Sequence, residues 1–176
     1  MRPRFLLATS LTLTALAGPA AASAACPNED LMPTADNLPQ VREALLCLHN
    51  EERAGRGLPT LKANGRLRRA ASGHSDDMVA NGYFSHERGD QTFVDRILAT
   101  GYTRRDDGWS LGENLAWGTG ELATPKQLMQ AWMGSAGHRR TIVNRSYRDV
   151  GFGVRLGVPK DPATGVTVTA NFGAKP

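Results

Sequence analysis

A chain of 176 residues with 21 basic and 17 acidic side chains has a formal net charge of +4, too weak a bias to argue for a nucleic-acid partner. It holds no basic run, RNA-binding aromatic pattern or zinc-finger spacing, which sets that partner class aside. Taking away residues 1–24 removes two arginines and no acid, and the remainder, about 150 residues, suffices for one core that buries about two-thirds of its extended-chain surface.

The first 24 residues read as a secretory signal peptide. Arg2 and Arg4 form a basic start, Phe5 to Leu16 an uncharged run, and Ala22-Ser23-Ala24 a small-residue cleavage site, with the cut after Ala24 or Ala25. That run is shorter than the roughly 20 apolar residues of a spanning helix, so no transmembrane segment is expected in the mature protein. A lipoprotein box ending on Cys26 has Ser23 against it, where such a box carries leucine. The expected location is secreted or periplasmic. In an oxidising compartment a Cys26–Cys47 bridge is the expected use of the two cysteines, with two free thiols as the alternative; closing that loop contributes on the order of 3 kcal/mol in chain-entropy terms.

Residues 25–40 contain three prolines and no period, and predict an irregular arm. A single domain over 41–176 follows. Val41, Ala44, Leu45 and Leu48 share a face of a helix from Val41 to about Gly55, and Leu58 to Leu61 form a short extended connection. A second helix runs from Asn64, a favoured N-cap, to Asn81-Gly82, where glycine suits the C-terminal stop. Its stripe is Leu67, Ala70, Ala71, His74 and Met78, so His74 faces inward and is more simply a hydrogen-bonded core residue than a ligand. Tyr83-Phe84-Ser85-His86-Glu87 lies just past that helix end, where a side chain can turn back into a cleft.

A short helix from Thr92 to Thr100 follows, closed by Gly101, with Phe93, Ile97 and Leu98 inward. Residues 102–110 are charged and predict a surface loop, and Leu111 to Trp117 a first strand. Thr124-Pro125 is a helix start, and Leu128, Met129, Ala131, Trp132 and Ser135 make the face of a helix running to Gly137. Trp117 and Trp132 are expected in the core and Trp109 at the surface. Val150, Phe152, Val154 and Leu156 alternate with Gly151, Gly153 and Arg155, and Val166, Val168, Ala170 and Phe172 with Thr167, Thr169 and Asn171. These are two half-buried strands joined by a Pro159–Gly165 loop. Helices first and strands last predict an α+β fold with an antiparallel sheet.

The chemistry gathers on histidines and one acid. Two neutral imidazoles and a carboxylate are a common three-ligand set for a divalent metal such as zinc, with a position left open for water, and His86, Glu113 and His138 supply it. Their spacings of 27 and 25 residues carry no local signature, so the fold must assemble the site. His86-Glu87 lacks the second histidine of the helical zinc-protease pattern. The Gly134 to Gly137 run follows a helix and is no nucleophile elbow. Gly151-Phe152-Gly153 sits within a strand pattern, outside any dinucleotide context, so no organic cofactor is expected; its glycines fit a bulge or a close backbone approach.

Phe84-Ser85-His86, Gly112-Glu113-Asn114-Leu115-Ala116, Trp132-Met133-x-Ser135-x-Gly137-His138-Arg139, Val150-Gly151-Phe152-Gly153 and Asn171-Phe172-Gly173 occur in that order over residues 41 to 173. The set resembles the CAP superfamily, also called the SCP domain, which includes cysteine-rich secretory proteins, antigen 5 and plant pathogenesis-related class 1 proteins; the form is closest to the secreted bacterial branch. The resemblance implies an α-β-α sandwich with a short antiparallel sheet between helical layers and a central cleft at His86, Glu113 and His138. It also implies divalent cations at that cleft and sterols or fatty acids elsewhere on the domain. One departure stands out. Many eukaryotic members carry a second acid on the helix before the Gly-His pair, whereas residues 126–137 hold none and Ser135 occupies the place, leaving one carboxylate against two imidazoles.

Three readings follow. The first is an exported, monomeric binding module for a lipid, a sterol or a cell-envelope component, with a metal-binding cleft and cleft neighbours Ser135 and His74. The second is a metal-dependent hydrolase or protease with Glu113 as base if it is not a ligand. In the third, the trio is a structural hydrogen-bonded network. Ser135 puts binding ahead of catalysis.

Overall fold

The computed structural model describes residues 25–176; the expected signal peptide lies outside them. Local capping chemistry fixes most helix ends. The first helix, α1, spans Leu38–Ala54, three residues earlier than its apolar period suggests, because Pro39 in the first turn opens a helix as readily as it breaks one. Asn50 clamps the connection that follows: its amide donates to Leu61 O at 3.1 Å and its carbonyl accepts from Leu61 N at 2.7 Å. The connection then forms a two-residue strand, β1, Lys62–Ala63, too short to show a period. Helix α2, Gly65–Asn81, has the expected ends, with Asn64 Oδ1 accepting from Arg66 N and Leu67 N and Gly82 left-handed at φ 68°. Helix α3, Phe93–Ala99, starts on a Thr92–Asp95 capping box.

Strand β2 is Ser110–Gly118, followed by a 3-10 turn at Gly120–Ala123. Helix α4, Pro125–Gly134, is capped by Thr124. It stops three residues short of the expected end, because Ser135 adopts an extended conformation and starts a new helix, α5, Ala136–Ile142. The expected turn to about Ser146 is therefore largely helical, and His138 lies inside α5. Strands β3, Asp149–Val158, and β4, Asp161–Ala174, form the expected hairpin. Its connection is shorter than Pro159–Gly165, since pairing continues to Val158 and Asp161 across a bulge.

The sheet order is β1-β3-β4-β2. β3 pairs antiparallel with β4 and β4 with β2, while β1 joins parallel to β3. Helix α2, with α3, covers one face; α1, α4 and α5 cover the other. This is an α+β, three-layer sandwich. Because both faces are covered, β3 and β4 are not half-buried as their alternation predicts: Thr167, Thr169 and Asn171 are as inaccessible as Val166, Val168 and Phe172. The main core joins Val41, Leu45 and Leu48 of α1 to Leu128, Met129 and Trp132 of α4 over Val150, Phe152 and Phe172.

The strand glycines are there for close approach. A Cβ on Gly151 would lie 2.0 Å from Arg68 N, and one on Gly153 2.2 Å from the Ala71 carbonyl carbon, so α2 lies directly on the backbone of β3. Ser75 seals that seam, its hydroxyl donating to Thr169 Oγ1 at 2.9 Å. Cys26 and Cys47 are disulfide-bonded. With Lys126 reaching Glu29 at 2.9 Å, the bond ties the arm to α1 and α4. Trp132 is buried, but Trp117, on edge strand β2 between buried Ala116 and Gly118, is 52% exposed, against expectation. Ala131 is likewise exposed rather than part of the inner face of α4.

Candidate functional site

The Gly112-Glu113-Asn114 run sits on β2, an edge of the sheet, and successive strand residues face opposite layers. Glu113 turns toward α2 and α3. Asn114 turns the other way and donates from Nδ2 to His138 O at 3.0 Å, fixing α5 against the strand. Gly112 is required beside them, because a Cβ there would meet the Tyr147 hydroxyl at 2.3 Å.

His86 arrives on the segment after α2, which three contacts hold in place. His74, 2% exposed, bonds through Nε2 to Ser85 O at 2.8 Å; since the carbonyl can only accept, that nitrogen carries the proton. Tyr83 donates its hydroxyl to Asp77, and Arg88 pairs with the same carboxylate. Burial, then the bond to Asp77, pushes the Tyr83 phenol up to about 12. His74 is thus a buried, hydrogen-bonded support, as its place on the stripe predicts, and it feels the charges of Glu113 and Arg96. Burial holds its imidazole below the ordinary histidine range.

So supported, His86 Nδ1 lies 2.9 Å from Glu113 Oε1. The Glu113 side chain is fully inaccessible, whereas that of His86 is 48% exposed. Arg96 of α3 supplies the main counter-charge, a residue with no sequence signal beyond its place beside inward Ile97. Its Nη2 donates to both Glu113 oxygens, at 3.1 and 3.0 Å, and to His86 O at 2.8 Å. Asn171, paired in register with Glu113, completes the set: with its amide oriented to satisfy both neighbours it donates to Oε2 at 3.0 Å and accepts from Ala71 N at 3.2 Å. An asparagine amid a run of valines and threonines was the available hint.

A buried carboxylate with this many donors is fully hydrogen-bonded as an anion. Because it engages His86 Nδ1, it orients the ring and leaves Nε2 outside that bond, the arrangement in which a carboxylate orients a histidine for a metal or a proton. His138 comes from the opposite layer and makes no ring hydrogen bond among the described residues. Burial and then the proximity of His86 lower its tendency to protonate, which keeps it neutral and ligand-competent near pH 7. Ser135 is half-buried where α4 passes into α5 and brings no charge.

The structure therefore brings His86 and Glu113 together and sets His138 near His86. Among the described residues, one group of three potential ligands converges within 4.8 Å, Cys26, Cys47 and Glu51, and its sulfurs are consumed in the disulfide. The trio is not that compact. Fit to a metal thus rests on the donor set: two imidazoles, that of His86 oriented by a carboxylate that is itself engaged by Arg96.

Residues 46–171 match the pattern described as "CAP: Cysteine-rich secretory protein family". The uncharacterized protein YkwD of Bacillus subtilis is 33% identical over 109 residues, 60% of this chain and 39% of its own length. YlbC of the same organism, described as an uncharacterized membrane protein, is 32% identical over 110 residues, 30% of its length. The chain thus spans well under half of these curated relatives. Among solved structures, an extracellular protein containing an SCP domain from Bacillus anthracis superposes with a TM-score of 0.62 at 28% identity, covering 80% of this chain and 43% of that one. An outer surface protein of Borrelia burgdorferi superposes at 0.65 with 19% identity, covering 82% and 97%, a likeness of fold.

Proposed function

The chain belongs to the CAP, or cysteine-rich secretory protein, family, and from that premise we propose that it is an extracytoplasmic binding module whose cleft holds a divalent metal such as zinc through the imidazoles of His86 and His138. The observation that carries this reading is the saturation of Glu113. With Arg96, His86 and Asn171 all donating to it, its carboxylate acts through His86 as an orienting group. A carboxylate so engaged is a poor general base, because taking a proton would break its pair with Arg96. Binding is therefore favoured over hydrolysis. A metal bound there would offer a Lewis-acidic centre to an anionic partner; the imidazoles of His86 and His138 would hold it, with Glu113 orienting His86 and the Asn114 bond placing α5.

An oxidising location agrees with the disulfide and with relatives described as extracellular or outer-surface proteins. No helix among the described residues is long and apolar enough to cross a membrane. A groove of about 1010 Å³ between α1, α4 and the arm includes Leu48, Met129 and Met133. Charged Glu29, Glu52, Arg56 and Lys126 stand beside these apolar side chains, and methionine adapts to irregular apolar groups, so the amphipathic lining supports a lipid or envelope component as the organic ligand of the module.

Zinc titration tests the cleft. An ion that binds only the native state at a hundredfold excess over its Kd raises stability by about 2.7 kcal/mol, so zinc is expected to raise the Tm of the wild type and to leave His86→Ala and His138→Ala unmoved. An equal rise in all three proteins would remove the metal from this site and leave the trio as a structural network.

A further inference from the structure

At the opposite edge of the sheet from the cleft, where β1 meets β3, the first half of α1 and the first turn of α2 enclose a second cavity of about 360 Å³. Its apolar lining includes Leu46, Val150 and Phe152; its charged groups are Arg42, Arg68 and Glu43. Val150 and Phe152 are only 0 and 4% exposed, so a ligand here would rest on core side chains. The absence of a Cβ on Gly151, which lets the α2 backbone at Leu67–Arg68 lie on the strand, is what brings Arg68 to the rim.

The charges there are unbalanced. Among the described residues neither Arg42 nor Arg68 has an ion pair or a side-chain hydrogen bond, unlike Arg53, Arg88, Arg96 and Arg105, whose guanidiniums all have acceptors. Arg42 is disfavoured as a cation by its partial burial and then by Arg68, with Glu43 offsetting this less strongly. Two guanidiniums facing one carboxylate across an apolar floor leave one positive charge without a partner. Guanidiniums are planar, multidentate donors suited to carboxylates, and the volume is at the lower end of the roughly 300–1,000 Å³ typical of small-molecule sites.

We infer that this cavity is a binding site for a small organic carboxylate, its anionic head held between Arg42 and Arg68 and its apolar body lying on Leu46, Val150 and Phe152. The site is separate from the metal cleft and shares no residue with it, so either reading can fail alone.

The test compares three probes on the protein without added metal: 3-phenylpropionate, which has head and body; 3-phenylpropanol, which has the body without the charge; and inorganic phosphate, which has charge without the body. Calorimetry and amide chemical shifts are expected to show saturable binding of 3-phenylpropionate, with perturbations centred on Asn64, Val150 and Phe152 and the cleft residues unmoved. The alcohol should bind at least about tenfold more weakly, and Arg42→Gln/Arg68→Gln should lose at least about tenfold in affinity for the acid, one decade of Kd. Arg68 is exposed and Arg42 half-buried, so Arg68→Gln alone provides a milder variant should the double one fold poorly; it is expected to lose several-fold. Equal binding of acid and alcohol, equal binding by the variants, phosphate matching the acid, shifts centred elsewhere, or no saturable binding would each overturn the inference.

Discussion

Two buried arginines show how differently one side chain can be used in one small domain. Arg53, on the last turn of α1, is completely inaccessible and spreads its donors over four backbone carbonyls: Nε to Pro59, Nη1 to Ile142 and Asn144, and Nη2 to Tyr147, at 2.8 to 3.1 Å. It meets no carboxylate and ties the end of α1 and the connection at Pro59 to the distant segment 142–147. Arg96 concentrates three bonds on Nη2 while its Nε and Nη1 are buried without a partner. Orphaned buried donors are costly. The first arrangement is that of a structural hub; the second tolerates local cost to hold a carboxylate and a histidine in one geometry, the kind of compromise found at functional sites.

The largest effect expected from this contrast is on Arg53. Replacing it by Met takes a donor from four carbonyls, of which Ile142 O lies in the fully buried part of the hub and Tyr147 O keeps Arg148 Nη1 at 2.9 Å. Each unsatisfied buried group costs about 1–3 kcal/mol, and partial solvation of the outer two moderates the sum, so Arg53→Met is expected to destabilise by roughly 4 kcal/mol, or about 10 °C in Tm. A loss below about 1 kcal/mol by urea denaturation would show that water replaces the guanidinium freely and that Arg53 is no hub.

One turn earlier, His49 shares the same closed environment. Its Nδ1 bonds to Leu45 O at 2.7 Å, while Nε2 is buried without a partner among Trp132, Phe152 and Phe172. Burial lowers its pKa from 6.5 to about 4. The unfolded chain therefore takes up a proton at His49 first: stability is fully present above pH 6.5 and is lost as pH falls toward 4. That shift corresponds to about 3 kcal/mol. His49→Leu, which keeps an apolar side chain in the pocket, should flatten the stability curve over that interval. His74 and His138, whose pKa values burial also lowers, supply a background slope common to both proteins. Parallel curves for wild type and variant would assign the acid sensitivity elsewhere.

The contrast also explains what the sequence made legible. The ends of α2 were readable because Asn64 and Gly82 act through bonds within a few residues. The order Gly112-Glu113-Asn114, Gly137-His138 and Asn171-Phe172 was readable as a family pattern, and with it the fold. The early start of α1 and the break at Ser135 were not, since Pro39 and Gly134-Ser135 each permit more than one local outcome and tertiary packing selects among them. β1 exists only because β3 offers it an edge. Arg96 was least legible of all: on a seven-residue helix an arginine reads as a solvated face, and only Glu113, 17 residues away, gives it a buried role.

Arg96 is also where the smallest and most discriminating effect is expected. Removing one partner of a buried ion pair commonly costs about 3–5 kcal/mol. Here His86 and Asn171 remain as donors to Glu113, and the two orphaned nitrogens disappear with the side chain, so Arg96→Met should cost only about 2 kcal/mol. Because that cost comes from a carboxylate left without its permanent cation, it should shrink once the carboxylate is neutral. In the background of Glu113→Gln, Arg96→Met is expected to be nearly neutral, which gives a coupling energy of about 2 kcal/mol in the double-mutant cycle. Additive losses would mean that Arg96 acts by packing alone, and its difference from Arg53 would then be one of degree.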